Sequence, residues 1–345
     1  MLASDIEAAK TPKELFGELD GILNGDKLES LSKIYHAIMM KIHPDVNHDI
    51  NATALATKVS NFFHQARIEV AQGRYGRNPQ LKINIKDKEY NIEDMRYEGA
   101  ICSLYRCFYK NTDEAILKLA RIPVDNDLVT NEAAMLKSLE KGEEYDKFKA
   151  FFPTLLESFL YVDDAKVQRR ANVLKNSHGF YSLEEVKKRY PDGIDPKDMA
   201  WMWRRTLIAL GYSHDCGIVH GAVLPSHILI HPELHGYTLI DWCYSVKSGK
   251  SLTAIPSEYK DWYPGEVLEK KSVSPATDIY TAARSMVYLM GKEESIPKRL
   301  RAFFNGCMLS SQRQRPENAW ALLLEFDELI EKMWGPRKYR PFSME

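Results

Sequence analysis

Apolar side chains recur every three or four residues through residues 14–73, which is the period of a helix with one buried face. The pattern predicts three helices, over residues 14–23, 28–42 and 52–73. Asn24 and Gly25 are expected to end the first helix, because asparagine and glycine favour the left-handed backbone that stops helices. Pro44 is expected to separate the second helix from the third, because proline lacks the amide hydrogen that a helix interior needs.

From residue 81 the pattern changes to short runs in which apolar and polar positions alternate, as they do in half-buried strands. Strands are predicted over residues 81–92, 100–109 and 114–122, with two further brief strands at 227–231 and 236–241. Helical periodicity dominates the rest of the chain, and it predicts helices over residues 131–139, 195–217, 275–291 and 317–333.

A strand-rich lobe followed by a larger helical lobe is an α+β arrangement with a cleft between the lobes. The sequence therefore predicts a helical domain at residues 1–80 and a two-lobed domain at residues 81–345. Within the second domain we place the small lobe at about 81–170 and the large lobe at about 171–345.

Composition narrows the range of partners. The 345 residues carry 47 lysines and arginines against 48 aspartates and glutamates, so no overall field favours nucleic acid or a membrane surface. We expect neither as a partner. The N-terminus lacks a signal-peptide pattern, and no apolar run approaches the roughly 20 residues that cross a bilayer, which predicts a cytoplasmic protein. Five scattered cysteines without zinc-ligand spacing are expected to be free thiols: Cys102, Cys107, Cys216, Cys243 and Cys307.

His43, Pro44 and Asp45 stand together in the connection between the second and third predicted helices. Residues 11–76 thereby resemble the J-domain family, in which an amphipathic helix, a His-Pro-Asp loop and a long helix follow one another. Phe62 and Phe63 on the third helix match that family's aromatic core pair. The resemblance implies a three-helix J-like domain at the start of the chain.

The same resemblance implies a partner, a DnaK-type heat-shock chaperone whose ATP hydrolysis the module stimulates. His43, Pro44 and Asp45 would engage that chaperone. The family's second helix presents a basic face to it, and the matching positions here are Lys33 and Lys41, with His36 between them.

A second set of motifs follows in the order that protein kinases use. Lys118 in a predicted strand and Glu132 in the next helix match the family's phosphate-binding lysine and its glutamate partner. The segments at 219–230 and 239–245 resemble the catalytic loop and the metal-binding segment, which places Asp241 at the position of a metal ligand. Residues 88–333 thus resemble the protein-kinase family, and the resemblance implies a bilobal kinase-like fold.

Several matches to the kinase pattern concern support rather than chemistry. In the family, the corresponding residues hold loops and helices in place, and we expect the same scaffold roles here. Glu266 and Arg315 in particular are expected to form a buried pair. The supporting matches are His220, Pro225, Glu266, Asp278 and Arg315.

The departures from the kinase pattern lie at the positions that carry out phosphoryl transfer in the family. Ala222 stands where the family has its catalytic aspartate, and Leu224 where it has a phosphate-contacting lysine. His227 replaces the asparagine that holds a second magnesium, an ion that prefers oxygen ligands. Gly99 alone remains of the glycine-rich loop. Because phosphoryl transfer depends on positioning and on charge neutralisation, these losses together predict a pseudokinase rather than an enzyme.

A nucleotide site remains a prediction of the resemblance. Gly99, Lys118, Glu132 and Asp241 would bind ATP, with Asp241 as the magnesium ligand, and no cofactor is expected to be essential. The alternative for Asp241 is a structural role, pairing with Lys118 in an empty cleft. Trp242 and Cys243, which stand where phenylalanine and glycine usually follow the aspartate, favour a fixed conformation of this segment.

Two classes of function follow from these predictions. In the first, the protein is a co-chaperone or adaptor whose J-like module recruits the chaperone while the kinase-like domain binds a protein client or a nucleotide. In the second, it is an atypical ATP-dependent transferase that works without the usual aspartate. A third possibility is an assembly surface in which neither module keeps its family's activity.

Overall fold

A computed structural model describes residues 3–9, 11–21, 24–44, 47, 51–71, 75–76, 81–85, 88–109, 113–163 and 165–344. The chain divides into two compact units. The first comprises residues 1–94 and 108–113, and the second comprises 95–107 and 114–345. The domain boundary at residue 80 remains a prediction.

Four of the described helices belong to the first unit. They are α1 Ala3–Ala8, α2 Pro12–Phe16, α3 Asn24–Ile42 and α4 Ala52–Ala71. Helices α3 and α4 pack against each other, with the Tyr35 and Phe63 rings stacked 3.9 Å apart. Phe62 is partly buried and lies under the Lys58 ammonium. The fully buried apolar core of this unit includes Ile6, Leu15, Leu31, Val59, Ala66 and Val70.

The second and third predicted helices are confirmed, but the first is wrong in its extent. Helix α2 stops at Phe16, because Gly17 adopts a positive φ of 71° and its amide closes the last turn on the carbonyl oxygen of Lys13. Asn24 then begins α3 instead of ending the first helix. The N-terminal helix α1 has no counterpart among the predicted helices.

A β-hairpin completes the first unit. It consists of β1 Leu81–Ile85 and β2 Lys88–Glu98, which pair antiparallel from Leu81 opposite Ile92 to Ile85 opposite Lys88. Tyr90 on β2 is fully buried. This confirms the alternation read from the sequence.

The second unit begins with a sheet. Its strands are β3 Cys102–Tyr109, β4 Asp113–Ala120, β5 Leu155–Val162 and β6 Gln168–Lys175, and they lie side by side in the order β3, β4, β6, β5. Helix α5 Asn126–Glu140 packs on β6 and β5, and the short α6 Tyr145–Phe148 follows it. The sheet runs to Lys175, past the lobe boundary predicted near residue 170.

Helices dominate the remainder of the second unit. They are α7 Leu183–Arg189, α8 Pro196–Asp215, α9 Gly265–Leu268, α10 Pro275–Met290, α11 Lys298–Cys307 and α12 Ala319–Trp334. Short strands accompany them: β7 Tyr181–Ser182, β8 Ile218–Val219, β9 Ile228–His231, β10 Gly236–Leu239 and β11 Val246–Lys247. Short 3-10 helices lie at Pro123–Asp125, Lys149–Phe151, Trp242–Tyr244, Ser257–Trp262, Glu293–Ser295 and Gln312–Gln314.

The core of this helical part is built around α8. Trp203 is fully buried and meets the rings of Phe304 on α11 and Phe326 on α12 edge to face. All five cysteines are free thiols, as predicted. Among the helices that the structure describes, none combines the length and the apolar character needed to cross a membrane.

Candidate functional site

The predicted pair of Lys118 and Glu132 is confirmed. Lys118 lies on β4, opposite Asn172 of β6, and its Nζ is 2.9 Å from Oε1 of Glu132 on α5. The Glu132 side chain has no exposure to solvent. Its other oxygen accepts a 2.9 Å hydrogen bond from Nδ2 of Asn172, which also donates to the carbonyl oxygen of Val129. Sheet and helix are therefore joined by a buried network of charged and polar groups.

The Lys118 ammonium has three partners. Besides Glu132 it donates to Oδ1 of Asp241 and, at 3.1 Å, to Sγ of Cys243. An ammonium group has three hydrogens, so its donor capacity is filled. Burial acts to lower the pKa of Lys118, but Asp241, Cys243 and Glu132 outweigh it and hold that pKa well above its usual value. The lysine is therefore charged and fully engaged.

Asp241 stands just after β10, at a left-handed φ of 67°. Burial acts to raise the pKa of its carboxyl, but Lys118 and His227 together hold it well below its usual range, so the group is ionised. The two residues that follow, Trp242 and Cys243, have no solvent exposure. Asn131 of α5 donates to the carbonyl oxygen of Cys243 at 3.0 Å. These contacts fit the fixed conformation predicted for the segment.

His227 bonds to both Asp241 and Ala222. Its Nδ1 lies 2.9 Å from the carbonyl oxygen of Ala222, and its Nε2 lies 3.1 Å from Oδ2 of Asp241. Both ring nitrogens of His227 are therefore engaged, and Asp241 is bonded through one oxygen to the Lys118 ammonium and through the other to the His227 ring.

Ala222 and Leu224, at the positions of the catalytic aspartate and the phosphate-contacting lysine, are both fully buried. Asp278 of α10 holds the start of their loop, accepting from the amides of His220 at 2.7 Å and Gly221 at 2.8 Å. Burial lowers the pKa of His220 to about 4, so its ring is neutral. The loop keeps its support but carries neither the acid–base group nor the cation of the family pattern.

Gly99 does not belong to the Lys118 cluster, which consists of Lys118 and its three partners Glu132, Asp241 and Cys243. Its amide donates to the carbonyl oxygen of Cys102 at 2.8 Å, and its own carbonyl accepts from Arg121 at 3.0 Å. Within the described part of the chain it makes no hydrogen bond to Lys118 or Asp241. The amide that a phosphate would need is engaged in the turn.

The predicted scaffold pair of Glu266 and Arg315 is also confirmed. The guanidinium of Arg315 donates to Oε1 of Glu266, which accepts a further bond from Thr277 at 3.1 Å. Arg315 is 4% exposed and lies over the Tyr280 ring. The pair therefore ties α9 to the loop before α12.

The arrangement of these residues shows whether they could bind a magnesium ion or a nucleotide. The ligand atoms of Glu132, Asp241 and Cys243 lie within 4.8 Å of one another, but the Lys118 ammonium contacts all three. One of the three is a thiol, whereas magnesium prefers oxygen ligands in octahedral geometry. His227 takes the remaining oxygen of Asp241. The residues as arranged do not fit a magnesium ion, and a nucleotide phosphate would have to displace a bonded partner of Lys118.

Among the residues predicted to engage a chaperone, Lys33 lies in the middle of α3, Lys41, His43 and Pro44 lie at its C-terminal end, and Asp45 falls outside the described residues. The amide of His43 continues the helical bonding to Met39 at 2.9 Å, and Pro44 follows in a turn. Lys33 is exposed and pairs with Glu29 at 2.7 Å. Lys41 is exposed as well. A chaperone-binding role for these residues stays a prediction.

Three roles were not predicted from the sequence: Asn172 as the second partner of Glu132, Cys243 as a partner of Lys118, and His227 as the second partner of Asp241. Asn172 carried a weak signal, since a polar residue interrupts the apolar run of β6. The sequence indicates His227 only as the replacement of a metal ligand.

The buried lysine–glutamate pair beneath a sheet, the supported loop and the helical lobe together define a protein-kinase-like fold. No family profile and no curated protein matches the chain. Among solved structures, that of vaccinia related kinase 3 is similar with a TM-score of 0.56 and 14% identity, over 73% of this chain and 90% of the other. At this identity the likeness shows the fold alone.

Proposed function

We propose that the protein is a kinase-fold adaptor that transfers no phosphate and binds a protein client, with a helical module that recruits a DnaK-type chaperone. One observation carries the first part: both carboxylate oxygens of Asp241 are bonded to side chains of the chain itself, one to the Lys118 ammonium and the other to the His227 ring. In a kinase, the corresponding aspartate binds the metal ion that neutralises the phosphates. Here both of its oxygens already have partners within the protein.

The absence of a base supports the same conclusion. A general base contributes typically about 10²–10⁴-fold to such a reaction, and Ala222 offers neither a proton acceptor nor a hydrogen bond from its side chain. Leu224 supplies no charge to a transferring phosphoryl group. Since electrostatic stabilisation of the transition state usually accelerates a reaction more than any other effect, losing both groups together removes the main sources of catalysis.

The proposal is tested by incubating the full chain with a protein substrate mixture and ATP labelled on the γ-phosphate, with magnesium or manganese. We expect no transfer by the native protein or by Asp241→Ala. Phosphate transfer that disappears in Asp241→Ala would refute the non-catalytic function. A parallel reaction with α-labelled ATP covers the alternative, because label transferred as a nucleotide would establish an atypical transferase instead.

Chaperone recruitment is a separate part of the proposal, supported by the order of α3, His43–Pro44 and α4. Purified full-length protein should raise the ATPase rate of a DnaK-type chaperone, and His43→Gln should abolish the increase. His64→Gln, at an exposed position on α4, is the matched control and should behave as the native protein. If the native protein gives no stimulation, the chaperone part fails while the kinase-like adaptor stands.

A further inference from the structure

A cavity of about 750 Å³ lies in the second unit, away from the Lys118 cluster. Three aromatic side chains line it: Phe148 from α6, Tyr212 from α8 and Trp320 from α12. The Phe148 ring is 5.0 Å from the Tyr212 ring and 5.7 Å from the Trp320 ring, tilted by 32° and 49° respectively. Rings set at such angles form the walls of a cage rather than a flat stack.

The Trp320 wall is held in place from two sides. Its indole N–H donates to Oδ2 of Asp215 at 2.8 Å. Its ring also lies so close to α8 that a Cβ added at Gly211 would overlap it. Gly142, in the connection before α6, also allows close packing. A side chain there would overlap the Tyr212 hydroxyl and the Cys216 thiol. The aromatic walls of the cavity are therefore fixed by their packing.

The rim of the cavity is acidic. Glu143, Glu144 and Asp215 line it, and Lys147 is the single basic residue among the lining side chains. The Lys147 ammonium lies 5.1 Å from the Phe148 ring centroid and 3.5 Å from Glu144. A cation of the chain thus already sits between an aromatic face and a carboxylate, the two features that attract cations.

We propose that this cavity binds a lysine side chain, plain or methylated, presented by a partner protein within an otherwise apolar segment. The aromatic faces and the acidic rim select an alkylammonium group, since both interact favourably with a cation. A volume of about 750 Å³ is far larger than one ammonium and falls in the range of sites for drug-sized ligands. Ile208 and Leu323 complete the lining and would contact the aliphatic stem and its neighbours. The site is separate from the Lys118 cluster and does not depend on the proposed function.

The test uses the full chain labelled with ¹⁵N-tryptophan and the indole signal of Trp320, which is assigned with Trp320→Phe. The probes are a five-residue peptide with trimethyllysine between leucines, the same peptide with lysine, and an uncharged analogue in which carbon replaces the trimethylammonium nitrogen. Both charged peptides should shift the Trp320 signal on titration. The trimethyllysine peptide should bind at least about fivefold more tightly than its uncharged analogue, the factor for roughly 1 kcal/mol of cation–π interaction.

Two exposed positions sharpen the test without disturbing the core. Glu144→Gln should weaken the charged peptides by up to about fivefold, because it removes one rim carboxylate. Lys147→Ala should tighten them, because it removes the competing cation. Glu331→Gln, exposed on α12, is the matched control and should change nothing. Equal binding of the charged and uncharged peptides would overturn the proposal, and tetramethylammonium binding as tightly as the peptides would overturn the assignment to a partner protein.

Discussion

Replacing Lys118 with methionine removes a buried cation and keeps most of the side chain's volume. The ammonium it removes serves Glu132, whose side chain has no exposure, and Asp241, whose side chain is 18% exposed. Without it, the charge of Glu132 is left with the neutral amide of Asn172 as its hydrogen-bond donor. The Lys118→Met variant should therefore be strongly destabilised.

The size of the destabilisation in Lys118→Met follows from the burial of the carboxylates that lose their partner. Removing one partner of a buried ion pair typically costs about 3–5 kcal/mol, because the remaining charge stays desolvated. Asp241 keeps His227 as a second partner, so we expect the lower end, about 3 kcal/mol. All six tryptophans lie between residues 201 and 334, so tryptophan fluorescence during denaturation by urea reports on the second unit. Lys147→Met, 65% exposed, is the control and should change the free energy of unfolding by less than about 0.5 kcal/mol.

The cost of Lys118→Met should also depend on pH. The folded-state pKa of Asp241 is depressed, so its stabilisation is present above the ordinary carboxyl value of about 3.9 and is lost as the pH falls through the folded value. Without Lys118 the Asp241 carboxyl takes up a proton more readily, and this removes the unpaired charge from the variant in acid. The difference in the free energy of unfolding between the native protein and the variant should therefore decrease from pH 7 toward about pH 4. A constant difference, or one below about 1 kcal/mol at pH 7, would refute the buried-charge argument.

Three further variants test separate contacts. His227→Asn frees an oxygen of Asp241, so magnesium with ATP should raise the melting temperature of this variant and not that of the native protein. Arg315→Leu leaves the buried carboxylate of Glu266 unpaired and should cost about 3 kcal/mol or more in denaturation by urea. Gly211→Ala should displace the Trp320 ring, which changes the indole NMR signal and weakens binding of the trimethyllysine peptide.

Motif order predicted the pairs of this fold better than it predicted their surroundings. Lys118 with Glu132, and Glu266 with Arg315, were expected because each pair stands at a fixed place in the order of kinase segments. Such pairs join residues far apart in the chain, so periodicity alone could not have found them. The supporting role of Asp278 followed from the same order.

The local sequence pattern did not predict where a single residue ends a helix. It also did not predict contacts between residues that are far apart in the chain. Gly17 ended α2 within an apolar stripe that otherwise continued at helical spacing. Nothing in the sequence around Asn172 indicates that its amide would reach Glu132 on α5. The bond from His227 to Asp241 depends on a left-handed residue after β10, which a sequence pattern does not specify.

The origin of the cation that pairs with Asp241 determines how the cleft can respond to a ligand. A metal ion enters and leaves a kinase cleft with its nucleotide, so the charge on the corresponding aspartate is compensated only part of the time. Lys118 belongs to the chain and cannot dissociate, so Asp241 keeps a cationic partner with or without a ligand. A ligand can shift a conformation only by interacting differently with two states, and a nucleotide or metal ion here would first have to displace existing partners of Lys118 and Asp241. We infer that the kinase-like unit presents one constant surface to its partners, which suits an adaptor better than a nucleotide-driven switch.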